Sequence, residues 1–353
     1  MVSNPQVAHI GYAEALSKRL PAEFFQPIPS RALWIPVHCA VVVACTWAIA
    51  AGRLGVFLWV PFAVVIGMSF TSLGILAHEI LHGSVVETLW LRRVLGALCL
   101  APLNIGVIFW GIWHSTHHAH TQDSARDPDT WGTLDNAPMD RSMRFLRRFT
   151  NTRSLLFPVL LSTGITAHAA ALMLAIQPRL TRWQRLETLA EFLVPLAFWI
   201  SLGFWLGWAH WIFFYLVPLL AANFIINLFV ITNHFLNPLD DSNDPLASSL
   251  TVTSYPWLER LFLNFNYHVE HHLLPHMSSR YAPRIAELLK ELWPERYHQM
   301  PHGQALRAVW RTPRVYYDQL HLVDLRDGTL YGTLGHGLPS DSAAHEVVKV
   351  IAN

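Results

Sequence analysis

The sequence predicts an all-α integral membrane protein: about four transmembrane helices, interfacial or re-entrant helices beside them, and a histidine-rich cap on the cytoplasmic side. Three observations carry this. Hydrophobic residues make up 52% of the 353 and charged residues only 14%, against about 25% charged in a soluble domain, and mean hydropathy is +0.29. Several apolar runs reach the roughly 20 residues that a helical span needs. Eight histidines fall into three clusters beyond the ends of such runs, at spacings that put the imidazoles of each cluster on one helical face.

Taken in order, residues 32–51 and 54–77 form the first two spans, with Arg53 in a tight turn between them. Residues 94–112 are apolar but interrupted by Pro102 and Asn104, and they separate the first two histidine clusters. If all clusters serve one site, this run must dip into the membrane and return. Residues 155–176 contain Gly164 and His168. Arg141, Arg144, Arg147, Arg148 and Arg153 precede them, and Arg179, Arg182 and Arg185 follow. Arginine-rich flanks prefer the cytoplasmic side, so this run is predicted to be interfacial or re-entrant. Residues 192–231 carry no charge and are long enough for two spans that turn within 203–210. An amphipathic stretch at 285–293 is predicted on the membrane-facing surface of the cap. The chain thus divides into a cytoplasmic N-terminal segment (1–30), a membrane domain (31–290) and a cytoplasmic C-terminal tail (291–353). The first 25 residues lack the charged, apolar, small-residue progression of a cleaved leader.

The net charge of +1 argues against nucleic acid as a partner. Cys39, Cys45 and Cys99 lie inside apolar runs without CxxC spacing, as buried structural thiols do.

The clusters are His78 and His82 in HEILH, His114, His117 and His118 in HSTHH, and His268, His271 and His272 in HVEHH. Neutral imidazole suits iron, zinc, copper or nickel, and eight exceed what one ion can use, so two neighbouring ions are expected. HEILH alone also fits a zinc protease, with Glu79 as general base and a third ligand from the NPLD segment at 237–240, but that leaves the other clusters without a role. A metal transporter would gather histidines too, yet transport sites lie near the bilayer midplane rather than at span ends. His38, His168 and His210 stand alone and read as core or interface residues. His120 and His276 leave the shared faces. Glu79, Glu270, Asp127 and Asp129 are candidates to hold a ligating imidazole in its working tautomer, although the aspartates also suit a turn around Pro128.

HEILHGS, HSTHHAHTQDSARDPD and NFNYHVEHHLLP resemble the three histidine boxes of the membrane fatty acid desaturases, in their order and over roughly residues 30–290. HxxHHxxT ending at Thr121, the following Asp127-Pro128-Asp129 and the segment 266–275 add to the match. The resemblance implies a non-haem diiron centre: two Fe ions held by the eight box histidines. It also implies a further ligand at the end of the last span, where His234 stands, with Asn233 beside it to orient a water or ligand. With O2 and two electrons, such a centre introduces a double bond into an acyl chain carried by a lipid, CoA or acyl-carrier protein. Nothing resembles the HPGG motif of a fused cytochrome b5, so the electrons are expected from a separate donor: ferredoxin, cytochrome b5 or a flavoprotein reductase. The third box opens with His268 rather than the glutamine of front-end desaturases. Hydroxylases and carotenoid ketolases use the same boxes, so oxygen insertion stays an alternative. Redox chemistry favours iron over zinc, and the repeated ExxH of carboxylate-rich diiron bundles is missing. Phe109, Trp110, Trp113 and Trp131 crowd the second box, either as walls of a narrow acyl tunnel or as an interfacial aromatic belt.

Overall fold

The computed structural model describes residues 5–51, 55–130, 156–313 and 315–338; Trp131, Arg53 and the arginines between 141 and 153 lie outside them. The described chain is helical: α1 (Pro5–Ser17), α2 (Trp34–Ala50), α3 (Val56–His82), α4 (Leu89–Leu100), α5 (Val107–His120), α6 (Phe157–Ile176), α7 (Arg182–Leu206) and α8 (Trp208–His234), the last with a π-turn at Ile212–Leu216. Short helices follow: α9 (Pro245–Ser248), α10 (Pro256–Leu261), α11 (His268–Leu273), α12 (Ala282–Leu292) and α13 (His302–Arg311). The little sheet present joins β1 (Thr251–Thr253) in parallel to β2 (Gln299–Pro301) and β3 (His321–Val323) antiparallel to β4 (Leu330–Gly332).

Among the described residues five helices are long and apolar enough to cross a membrane: α2 with its leading turn, α3, α6, α7 and α8. Their outer faces carry large apolar side chains, among them Trp47, Phe57, Phe204 and Trp205, each more than 70% exposed. Water would not tolerate such a surface, and lipid requires it. The chain is an integral membrane protein.

Not all five need cross. Three crossings between the second and third histidine clusters would leave them on opposite faces, yet the structure brings them together. At the middle of α6, His168 Nε2 lies 3.0 Å from Asp129 Oδ1, and Asp129 belongs to the second box. Residues 94–112 are sharply bent where the sequence is interrupted. Pro102 ends α4 in a 3-10 turn, Asn104 takes the left-handed conformation (φ 56°), and α4 and α5 meet at 91°. The freed amide of Ile108 at the start of α5 donates to Glu191 Oε2 on α7, 3.0 Å away, so a trans cap fixes the helix that carries the second box.

Small residues set the central contact. A Cβ on Gly67 of α3 would lie 2.7 Å from Ala221 Cβ and 2.9 Å from the Pro218 carbonyl on α8, the close approach membrane helices achieve only with such residues. This contact aligns the ends of α3 and α8, where His78, His82 and His234 sit. Gly67→Leu is expected to destabilise the fold by about 1–3 kcal/mol and to lower bound metal, measured as melting temperature and metal content in detergent. Past His82, Gly83 ends α3 at φ 88°, its amide returning to Ile80 and Glu79 as a left-handed helix stop.

The cap is held by its own core rather than by lipid. The apolar side chains of α12, Ile285, Ala286, Leu288 and Leu289, are buried with Tyr12, Leu16, Val269 and Leu273. The amphipathic face predicted to meet the membrane is therefore covered by α1 and α11. Residues 315–338 lie over the end of α8: Tyr316 donates to the Asn237 carbonyl at 2.7 Å and Leu334 N to the Leu236 carbonyl at 2.7 Å. Cys45 and Cys99 are buried and Cys39 is half-buried, all as free thiols.

Candidate metal centre

The nine histidines singled out from the sequence converge as two groups. His78 and His82 from α3, His114 and His118 from α5 and His271 from α11 form the first; His117 from α5, His234 from α8 and His268 and His272 from α11 form the second. Within each group one ring nitrogen per residue lies within 4.8 Å of all the others, and the second group is fully buried. The groups touch where the His118 and His272 rings stack at 4.3 Å.

The nitrogens face one another in a way that hydrogen bonding cannot satisfy. His114 Nε2 lies 2.9 Å from His82 Nε2 and 3.0 Å from His118 Nε2, and His271 Nε2 lies 3.0 Å from His118 Nε2. In the second group His268 Nε2 lies 2.7 Å from His234 Nε2 and 3.2 Å from His272 Nε2. One imidazole nitrogen is either a donor or an acceptor, so it serves one such neighbour and not two. His78 Nε2 is buried with no hydrogen-bond partner among the described residues. A cation at the centre of each group satisfies all these lone pairs, and the donor sets fit metal ions. Burial and the surrounding imidazoles hold His268, His271 and His272 well below the usual histidine range, so they are neutral, as ligation requires.

The outer nitrogens are anchored. His117 Nδ1 lies 2.9 Å from Asp127 Oδ1, His234 Nδ1 3.1 Å from the Ser248 carbonyl and His272 Nδ1 3.3 Å from Thr121 Oγ1. Each contact leaves Nε2 directed inward. Burial pushes the Asp127 carboxyl up, but the His117 imidazole and the amides of Asp129 and Gln122 outweigh it and hold it below the usual carboxylate range.

The sequence profile of the fatty acid desaturase family matches residues 54–304, more than two thirds of the chain. The chain belongs to the fatty acid desaturase family. It is 26% identical over 336 residues to a sn-1 oleoyl-lipid 12-desaturase of Synechocystis sp., 90% of each chain being covered. To the protein of the same description from Picosynechococcus sp. it is 24% identical, with 86% of this chain and 88% of that one covered. A sn-1 acyl-lipid omega-3 desaturase (ferredoxin) of Nostoc sp. is 29% identical over 117 residues, covering 33% of this chain and 32% of its own. The family is one of oxidoreductases, and membership sets aside the transporter and protease readings.

The desaturase fold also shows what the other candidates do. Among the described residues Glu79 meets no imidazole: it pairs with Arg31 and accepts from Ser279 N at 2.9 Å, tying the turn before α2 to the segment after the third box. Glu270 likewise turns away, accepting from Thr251 Oγ1 and Tyr297 OH, each at 2.5 Å, and burial pushes its carboxyl up to about 7. Both box glutamates therefore brace the backbone that carries the histidines. Asp129 accepts from Trp113 Nε1 at 2.8 Å. Trp110 stacks on His114 at 4.4 Å, and Phe109 is buried in the core. His38 packs on Trp34 and His210 on Trp59. Of Asn233, the side chain is buried without a hydrogen-bond partner among the described residues.

Sequence reasoning missed two connectors. Gln122, at φ 65°, donates its amide N–H to Asp127 Oδ2 at 2.8 Å and its side-chain Nε2–H to the His234 carbonyl. Asn243, at φ 52°, accepts from Thr121 N and donates to the His118 carbonyl, both at 3.0 Å. Both are ordinary turn residues in sequence, and only the fold reveals what they join.

Proposed function

We propose that this desaturase-family protein holds two iron ions on the nine histidines and uses O2 and two electrons to place a double bond in an acyl chain carried by a membrane lipid. The observation that carries the reading is the pairing of a five-imidazole and a four-imidazole group, in contact, at the ends of apolar spans. The acyl-lipid substrates named for the Synechocystis and Picosynechococcus relatives support the choice of substrate. Bound iron supplies the oxidant: O2, two electrons and two protons are consumed, two hydrogens leave adjacent carbons, and two waters form.

The chain's own part is to hold and to exclude. His78, His82, His114, His118 and His271 hold one ion, and His117, His234, His268 and His272 the other. Asp127, the Ser248 carbonyl and Thr121 fix three of those rings by their outer nitrogens. An all-imidazole donor set leaves the pair its full positive charge, with no carboxylate ligand to offset it. Arg179, Arg182 and Arg185 flank the junction of α6 and α7, which supports a cytoplasmic position for the histidine face.

The test is metal content and lipid products together. Membranes containing the protein, an electron donor and O2 are expected to yield fatty acids two hydrogens lighter, from protein carrying two irons per chain. Products heavier by one oxygen would overturn desaturation in favour of hydroxylation, and zinc in place of iron would overturn the redox reading.

A further inference from the structure

We propose that His276 is the point at which electrons enter the five-histidine group, and that the surface around it docks an acidic one-electron carrier. This rests on the reading of the histidines as a redox metal centre. His276 is not one of the nine. It follows Pro275 beyond the end of α11 and is exposed. Its Nδ1 donates to the main-chain carbonyl of His82 at 2.7 Å, and its ring lies edge-on 6.4 Å from the His82 ring. One hydrogen bond and the covalent frame of one residue thus join a solvent-facing imidazole to a nitrogen aimed at the first metal position.

Other routes are less open. Besides the nine histidines, the rings set against the first group among the described residues are Trp110, Phe265 and His276; of these, His276 is the exposed one. The second group is buried throughout, so an external carrier approaches the first.

The surroundings carry positive charge. The Arg92 guanidinium lies directly on Gly83, the residue after His82: a Cβ there would stand 2.5 Å from Arg92 Cζ. Arg92 Nε is fixed by the Val86 carbonyl at 2.7 Å, which leaves its terminal nitrogens for a partner's carboxylates. Arg280, four residues beyond His276, is exposed, and Glu87 is the single acid between positions 83 and 93. A basic rim about a redox-linked imidazole steers and orients an acidic partner. In each encounter one reduced carrier gives up one electron and leaves oxidised. Two encounters deliver both electrons to the metal pair, and no atom is exchanged.

The test uses the full-length, iron-loaded protein in detergent. The rate at which its ferric absorption bleaches is followed with a reduced acidic ferredoxin and, separately, with dithionite. For H276A, iron content and the dithionite rate are expected to match wild type, while the ferredoxin rate falls roughly tenfold. For R92Q, the ferredoxin rate is expected to lose much of its dependence on salt. A wild-type ferredoxin rate in H276A overturns the entry point and leaves the redox centre standing, and equal slowing with both reductants overturns it by assigning His276 to the centre itself. An unchanged salt dependence in R92Q overturns the docking surface. A wild-type protein with no reducible metal overturns the redox reading and this inference with it.

Discussion

His271→Ala is expected to abolish product formation and to leave the protein inserted and folded with close to one metal ion instead of two. His271 reaches the first group from α11 while its neighbours His268 and His272 serve the second, so its loss opens one coordination sphere and leaves every residue of the other in place. A metal ion supplies several kcal/mol of transition-state stabilisation, and about 4 kcal/mol corresponds to about a thousandfold in rate. Elemental analysis beside lipid product analysis checks both halves. His321→Ala, an exposed histidine paired with Asp318, serves as the control and should retain both metal and activity. Full turnover in the His271 variant would remove it from the ligand set.

Asp127→Asn is expected to weaken metal binding by about 10–100-fold, the usual effect of losing a carboxylate that orients a ligating imidazole. Asp127 Oδ1 is the partner of His117 Nδ1, and an amide can present its NH2 there, which sets the ring in the wrong tautomer. Asp127→Ala should do more. Its Oδ2 also accepts from Gln122 N and Thr130 Oγ1, both at 2.8 Å. Each buried donor left unpaired costs about 1–3 kcal/mol. Chelator titration of the two variants, with melting temperature alongside, separates the tautomer effect from the structural one. Equal metal affinity in wild type and the Asn variant would show that His117 does not depend on Asp127.

The sequence carried the membrane class, the break at Pro102 and Asn104, and the shared face of the histidines within each box, while His234 came from the resemblance to the desaturases. The first three were legible because each follows from local rules: run length against bilayer thickness, the φ preferences of Pro and Asn and the helical repeat. What it concealed depends on long-range contacts. Glu79 and Glu270 sit inside the boxes and invite a role beside the metal, yet their partners, Arg31, Ser279, Thr251 and Tyr297, are 19 to 200 residues away. The apolar stripe of α12 gave no sign whether lipid or α1 would cover it, because periodicity states that a face is buried and not by what. His234 takes its orientation from a main-chain carbonyl, that of Ser248, which leaves no trace in residue type.

The interleaving of the histidines along α5 and α11 has a consequence for assembly. His114 and His118 face one group while His117 faces the other, and α11 divides His271 from His268 and His272 in the same way. Two short rods therefore act as rulers for both positions, and on the proposed diiron reading the spacing between the ions would be a property of helix pitch rather than of any loop.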